Sequence, residues 1–209
     1  DIVQTWMYHA DLLGGIAARR AKIPRVIWGI RNSTLGDGTS LKTRLTVTAC
    51  ALLSKRLPDK IVSCSHTAAR VHKDLGYAGD RFIVIPNGFD TERFQPSVQL
   101  RRDLRITMGL PPETRLIGFV ARNDPQKDFP TFCAAAAEVL AQTSNTHLLV
   151  VGRGYEHVHG ETSGEVDKVD PTRLHFLGHR DDIDRIMPAI DVLALSSAYG
   201  EAFPNVLGE

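Results

Sequence analysis

The sequence predicts an α/β protein built on two parallel sheets, with one change of domain along the chain. Three observations carry this: short apolar runs, amphipathic segments between them, and a single interruption of the alternation. The strand candidates are Ile2–Trp6, Arg25–Arg31, Lys60–Ser65, Arg81–Pro86, Arg115–Arg122, His147–Arg153, Arg173–His179 and Asp191–Ser197. Most are too uniformly apolar to leave one face in water, so they read as buried parallel strands. Between them, Leu41, Leu45, Ala49, Leu52 and Leu53 are expected to share one helical face, as are Phe129, Phe132, Cys133, Ala136 and Leu140. Strand–helix–strand repetition implies parallel sheets covered by helices, with right-handed crossovers.

The interruption is NGFDTERFQP (87–96), rich in turn formers and without periodicity. A polar helix from Val98 to about Met108 follows, then GLPPET and a new strand. Residues 1–95 are therefore expected to form one domain and 96–209 a second. Open parallel sheets bind ligands at the carboxyl ends of their strands, so two such sheets facing each other are expected to enclose a cleft. The segment 155–170 is long and polar and reads as a mobile loop.

Composition excludes several classes. With 43% hydrophobic and 23% charged residues, the 209-residue chain is ordinary for a globular protein. No apolar run approaches the roughly 18 residues that a membrane span needs. No signal peptide is visible, and the first residue is Asp, so the sequence reads as part of a longer product, cut at both ends. Cys50, Cys64 and Cys133 lack CxxC spacing and read as small buried hydrophobes of a reducing, cytoplasmic compartment. Charge is uneven: residues 1–95 carry 14 Lys/Arg against 8 Asp/Glu, and 96–209 carry 11 against 16. A basic front half suits peripheral contact with an anionic membrane surface, although such asymmetry is also common by chance. Nothing points to nucleic acid.

Two constellations carry chemistry. In FVARNDPQKDF (119–129), Arg122 and Lys127 flank a strand-to-helix turn beside helix-terminal N–H groups. That arrangement suits a diphosphate, Arg as a bidentate fork and Lys as a mobile point charge. The plainer reading is a pair of solvated loop charges, with Lys127 paired to Asp124 or Asp128. In SSAYGEAFPNVLGE (196–209), Glu201 and Glu209 stand eight positions apart at an expected helix start. Carboxylates accept paired hydrogen bonds from vicinal diols, and the N–H groups of Phe203, Asn205, Val206 and Leu207 can meet phosphate or sugar oxygens. Acids near a helix start also simply offset its dipole.

In order along the chain, VSCSHTAARVHKDLG…RFIVIPNGFDTERFQP (62–96), VARNDPQKDF, LLVVGRGYE, LHFLGHRDDIDRIMPAIDVLALSS and EAFPNVLGE resemble segments of the retaining GT-B glycosyltransferases of family four. The resemblance implies two Rossmann-like domains facing across a cleft. It also implies transfer of a hexose from a nucleotide-sugar donor to a hydroxyl acceptor, a glycan or lipid-linked glycan, with retention at the anomeric carbon. In that scheme Arg122 and Lys127 hold the donor diphosphate, Glu201 contacts the transferred sugar and Glu209 the ribose. Phe203, Asn205 and Val206 add donor contacts. His9, which alone reads as a loop or core residue, matches a family histidine near the donor sugar. The leaving diphosphate takes the acceptor proton, and neither metal nor cofactor is expected.

Three departures stand out: Ala202 where the family often has Gly, the long 155–170 stretch, and an end at Glu209 where a helix should continue. Two motifs are set aside. Gly152-Arg-Gly154 would need a third glycine at position 157, which is His. Asp182-Ile-Asp184 lies at an expected helix start, where acids offset the dipole. Ser65–Thr67 reads as an N-cap region, and Arg31 and Asn32 end a strand on the acceptor side. Two rivals remain, a sugar-nucleotide 2-epimerase of the same fold and a non-catalytic nucleotide-sugar-binding fragment.

Overall fold

The computed structural model describes residues 1–36, 38–155 and 164–209. They form two compact units, Asp1–Gly88 with Tyr199–Asn205, and Phe89–Ala198 with Val206–Glu209. The expected division at 95/96 thus moves to Gly88/Phe89, because residues 89–95 attach to the second unit. Arg93 Nη2 reaches Asp184 at 3.0 Å, and Phe89 lies where a Cβ on Gly208 would meet its ring at 2.2 Å.

The first unit holds a parallel sheet in the order β1-β2-β3-β4. Its strands are β1 (Ile2–Trp6), β2 (Arg25–Ile30), β3 (Lys60–Ser63) and β4 (Phe82–Val84). Helices α1 (Tyr8–Arg20), α2 (Leu41–Leu53) and α3 (His66–Asp74) connect them. Because the strand order advances in one direction, α1 and α2 share a core against one face of the sheet, with Val26, Trp28, Ile30 and Ile61 fully buried under them. The other face leaves Ile2 at 67%, Trp6 at 47% and Ile83 at 41% exposure. Ser65 caps α3 as expected, accepting from Ala68 N at 3.1 Å.

The leucine face expected for α2 is wrong. Leu41, Leu45 and Leu52 are exposed, and the helix buries Val47, Cys50 and Ala51 instead. Small side chains allow α2 to approach the sheet and α1 closely, so the helix turns its narrower side inward. All three cysteines are buried and unpaired.

The second unit holds a parallel sheet in the order β7-β6-β5-β8. The strands are β5 (Arg115–Val120), β6 (Thr146–Val151), β7 (Leu174–Gly178) and β8 (Val192–Leu193). Both faces are covered. Helix α5 (Phe129–Gln142) buries all five expected residues, Phe129, Phe132, Cys133, Ala136 and Leu140, against Phe119, Leu148 and Val150. Helices α4 (Val98–Thr107) and α6 (Ile183–Ile186) lie over Leu116, Leu149 and Val151 on the other face. The polar helix α4 is anchored by Arg105, 1% exposed, which donates to Thr114 O, Ala189 O and Asp191 Oδ2.

Of the stretch 155–170, residues 156–163 lie outside the described residues. Tyr155 packs on Phe129 with ring centroids 4.9 Å apart, and Val166 and Val169 join the same core. Gly152 is required by packing. Its φ is +151°, and a Cβ there would lie 1.8 Å from Ala121 O.

Candidate functional site

Strand β5 pairs with β6 on one side and β8 on the other, so the strand order reverses at β5. Open α/β sheets bind ligands in the crevice outside the carboxyl ends of the strands at such a reversal. The turn carrying Arg122 and Lys127 leaves β5 at this point. A 3₁₀ turn spans Pro125–Lys127, and Asp128, at φ 49° and ψ 57°, both ends that turn and caps α5. A non-glycine residue in the left-handed region needs external support. Ser196, just past β8, supplies it: its Oγ donates to Lys127 O at 2.9 Å and Asp128 O at 2.8 Å. Ala198 N adds a bond to Gln126 O at 2.9 Å.

Asp124 sits between the two cations. It accepts from Gln126 N at 2.9 Å and from Arg122 Nε at 3.0 Å. The Gln126 amide, with the charges of Arg122 and Lys127 beside it, holds the Asp124 carboxyl below the usual carboxylate range. Arg122 and Asp124 form an ion pair at 3.0 Å, and Lys127 lies half-buried nearby. Arg122 remains 62% exposed, so an arriving anion can compete with Asp124 for its fork.

The terminal segment divides between the units. Glu201, Phe203 and Asn205 group with the first unit, whereas Val206 and Glu209 group with the second. Glu201 forms an antiparallel bridge with Asn32, Ser33 N donates to Gly200 O at 3.1 Å, and Gly200 N donates to Thr34 Oγ1 at 3.0 Å. The left-handed residue of this segment is Gly200, at φ 80°. Ala202 does not share that conformation. Instead of the helix start expected near Glu209, a 3₁₀ turn spans Asn205–Leu207. Phe203 is 39% exposed, and Glu209 is exposed beside a groove of about 260 Å³ lined by Phe94, Pro96, Met187 and Ile190.

His9 is exposed in the first turn of α1, at the carboxyl end of β1. Beneath it, Asp11 is 1% exposed and accepts from Thr5 Oγ1 at 2.6 Å and Gly29 N at 3.4 Å. Burial pushes the Asp11 carboxyl up to about 7, against those two donors. Met7, the N-cap of α1, holds φ 73° and ψ 153°, a conformation ordinarily left to glycine.

The Asp182–Asp184 motif lies at a helix start as expected, with Asp182 in the N-cap position and Asp184 in the first turn. Asp182 precedes α6 but makes no capping bond, and Arg180 takes both its oxygens at 2.8 and 2.7 Å. A guanidinium two residues away offers a stronger, charge-assisted partner than the amides of a four-residue helix. Among the described residues, no three His, Cys, Asp or Glu side chains are grouped to hold a metal ion.

Residues 1–93 match the model described as Glycosyltransferase Family 4, and residues 114–209 the model described as Glycosyl transferases group 1. The chain belongs to the group 1, family 4 glycosyltransferases. Among similar proteins is the Escherichia coli UDP-Gal:alpha-D-GlcNAc-diphosphoundecaprenol alpha-1,3-galactosyltransferase, 28% identical over 100% of this chain and 54% of its own. Another is the phosphatidyl-myo-inositol mannosyltransferase of Mycolicibacterium smegmatis, 32% identical over 63% of this chain and 32% of its own. The crystal structure of Anabaena HepE in complex with UDP superposes with a TM-score of 0.83 at 22% identity, over 99% of this chain and 56% of that one. The fold is that of GT-B enzymes. The chain spans about half the length of the curated relatives it matches.

For a family 4 glycosyltransferase, sequence reasoning overlooked Ser196, Asp11 and Asn87. Ser196 lies in the strand candidate Asp191–Ser197, where a polar residue among apolar ones was its only signal. Asn87 follows β4 and donates to Asn205 Oδ1 at 2.7 Å, a contact across 118 residues that no local pattern announces.

Proposed function

We propose that the full-length protein transfers a hexose from a nucleotide-sugar to a hydroxyl acceptor, a glycan or lipid-linked glycan, with retention at the anomeric carbon. The observation that carries this reading is the β5 turn at the reversal of the second sheet. There Arg122, Lys127 and the backbone around a left-handed Asp128 meet, pinned by Ser196. Such a site suits a diphosphate. Charge develops on a leaving diphosphate during sugar transfer. Arg122 and Lys127, held on a rigid turn, would stabilise it without reorganisation. Glu201 and His9 are assigned to the transferred sugar, and Glu209, Phe203, Asn205 and Val206 to further donor contacts. The leaving diphosphate takes the acceptor proton, so no metal or cofactor is assigned.

Relatives named for transfer to a diphosphoundecaprenol-linked sugar and to phosphatidyl-myo-inositol support a lipid-linked acceptor. The basic balance of residues 1–95, and the exposed Leu41, Leu45 and Leu52 beside Lys42, Lys55 and Arg56, support a peripheral place at an anionic, cytoplasmic membrane face. No helix among the described residues is long and apolar enough to cross a membrane. The test is turnover by the full-length protein with nucleotide-sugars and a lipid-linked sugar, with the product anomer read by NMR. Release of a nucleoside diphosphate with a retained glycosidic bond is expected. An inverted product, or conversion of the nucleotide-sugar alone to its 2-epimer, would overturn the reading.

A further inference from the structure

We propose that His147 and His175 form a binding site for a late first-row divalent cation, of the Ni²⁺, Cu²⁺ or Zn²⁺ class, on the second sheet and away from the transfer site.

His147 is the second residue of β6, and His175 the second of the neighbouring β7. Register sets Leu149 beside His175, and strand alternation carries His147 to the same face, that of Leu149 and Leu177, over which α4 and α6 lie. Both rings are half-buried there. His147 Nδ1 stands 2.9 Å from His175 Nε2, with the ring planes 17° apart and the centroids separated by 5.2 Å. That separation equals the nitrogen contact plus the two ring radii. The rings therefore meet end to end, nitrogen to nitrogen, rather than face to face. Two lone pairs do not face each other at that distance, so one imidazole proton lies between them.

A metal ion can take the place of that proton. Two nitrogens bound to one ion at about 2.0–2.1 Å stand roughly 2.9–3.4 Å apart when the angle between the bonds is about 90–110°. The pair already stands at the lower end of that range, and a tilt of two half-exposed rings turns both lone pairs onto one point. The displaced proton moves to the outer nitrogen of its own ring, so charge balances. Among the described residues, neither His147 Nε2 nor His175 Nδ1 has a hydrogen bond that this shift would break. His72, by contrast, is committed at both nitrogens, to Ala68 O and to the Tyr8 hydroxyl.

Neutral imidazole is the commonest side-chain ligand for metals of this class. Asp170, in the turn before β7, is committed elsewhere. Its Oδ1 accepts from Thr172 N and Oγ1 at 2.9 and 2.7 Å, and its Oδ2 meets Arg173 Nε at 3.4 Å. Among the described residues no third such side chain joins the pair, so water completes the coordination and binding is micromolar rather than tighter. The ion ties β7, the outer strand of the described sheet, to β6. The pair lies near the amino ends of these strands, whereas the turn of Arg122 and Lys127 leaves the carboxyl end of β5. This metal is therefore structural and takes no part in transfer.

The test uses the full-length protein, titrated above neutral pH with Cu²⁺ alone and read by calorimetry and electron paramagnetic resonance. Wild type is expected to take up an ion at micromolar concentration with two nitrogen couplings. His147→Gln and His175→Gln should each weaken that binding tenfold or more and leave a single nitrogen, with nucleoside diphosphate affinity and the metal-free thermal midpoint unchanged. Zn²⁺ should raise the midpoint of wild type by several degrees and leave that of both variants where it was. Wild-type copper affinity in either variant would overturn the assignment. So would a wild-type spectrum without two nitrogens, a result that requires no variant to fold.

Discussion

Asp11→Asn is expected to stabilise the protein above neutral pH, an unusual outcome for loss of a buried charge. Asp11 is 1% exposed and has two donors, Thr5 Oγ1 at 2.6 Å and Gly29 N at 3.4 Å, with no cation beside it. Burial raises its carboxyl from the ordinary 3.8 to about 7. The folded protein therefore holds this proton more tightly than the unfolded chain does. Stability from neutral Asp11 is fully present below pH 3.8, declines above it, and is lost once pH passes about 7. At about 1.4 kcal/mol per pH unit, the ionised carboxylate costs the fold roughly 4 kcal/mol at pH 8. Asparagine keeps an acceptor oxygen for Thr5 and Gly29 and never ionises. The variant of the full-length protein should gain roughly 2–4 kcal/mol at pH 8, equivalent to about 5–15 °C in thermal midpoint. At pH 5 the gain should shrink to less than about half. Thermal unfolding across pH 5 to 8 measures this. A variant less stable than wild type at pH 8, or one with an unchanged pH slope, would show that Asp11 is ionised and stabilising in the fold.

Lys127→Ala in the full-length protein should weaken nucleoside diphosphate binding tenfold or more, because a charge-assisted hydrogen bond contributes about 1.5–3 kcal/mol. Unchanged affinity by calorimetry would remove Lys127 from the site. Ser196→Ala frees the carbonyls of Lys127 and Asp128, which share its one O–H, and at about 1 kcal/mol for that shared bond the same affinity should fall roughly threefold to tenfold. An affinity equal to wild type would mean the turn holds its shape without Ser196. Activity of the full-length protein should survive a chelator; loss restored by manganese or magnesium would reopen the case for Asp182 and Asp184. Expressed alone, the 209-residue chain should self-associate through the sheet face exposing Ile2, Trp6, Ile83 and Ile85. A monomer in light scattering at high concentration would contradict that.

Local regularities were legible because they are written in neighbouring residues. Each strand candidate overlaps a strand of the structure: Ile2–Trp6 matches β1 in full, β6 begins one residue earlier at Thr146, and the others are shortened where pairing stops, Asp191–Ser197 to Val192–Leu193. The α5 face, the Ser65 cap and the strand-to-helix turn between Arg122 and Phe129 were also readable, since periodicity, capping and turn chemistry each act over about four residues. The face of α2 was not. Its leucines are its largest apolar residues, yet close approach to the sheet favours Val47, Cys50 and Ala51, a choice made by the partner surface rather than by the helix. Arg105 looks like any solvated charge on a polar helix until Thr114, Ala189 and Asp191 fold around it.

The sequence by itself determined where most of the strands and helices lie and which turn carries the cations Arg122 and Lys127. Tertiary structure alone decided what those groups meet. It set Ser196 under the Asp128 turn from 68 residues away, joined Asn87 to Asn205, and laid Trp6 beneath Arg31. The physical reason is range. Backbone periodicity is a property of a few adjacent residues. A hydrogen bond or stacked cation between distant strand ends exists only once the sheet has fixed their register, and register follows from burial of a whole face.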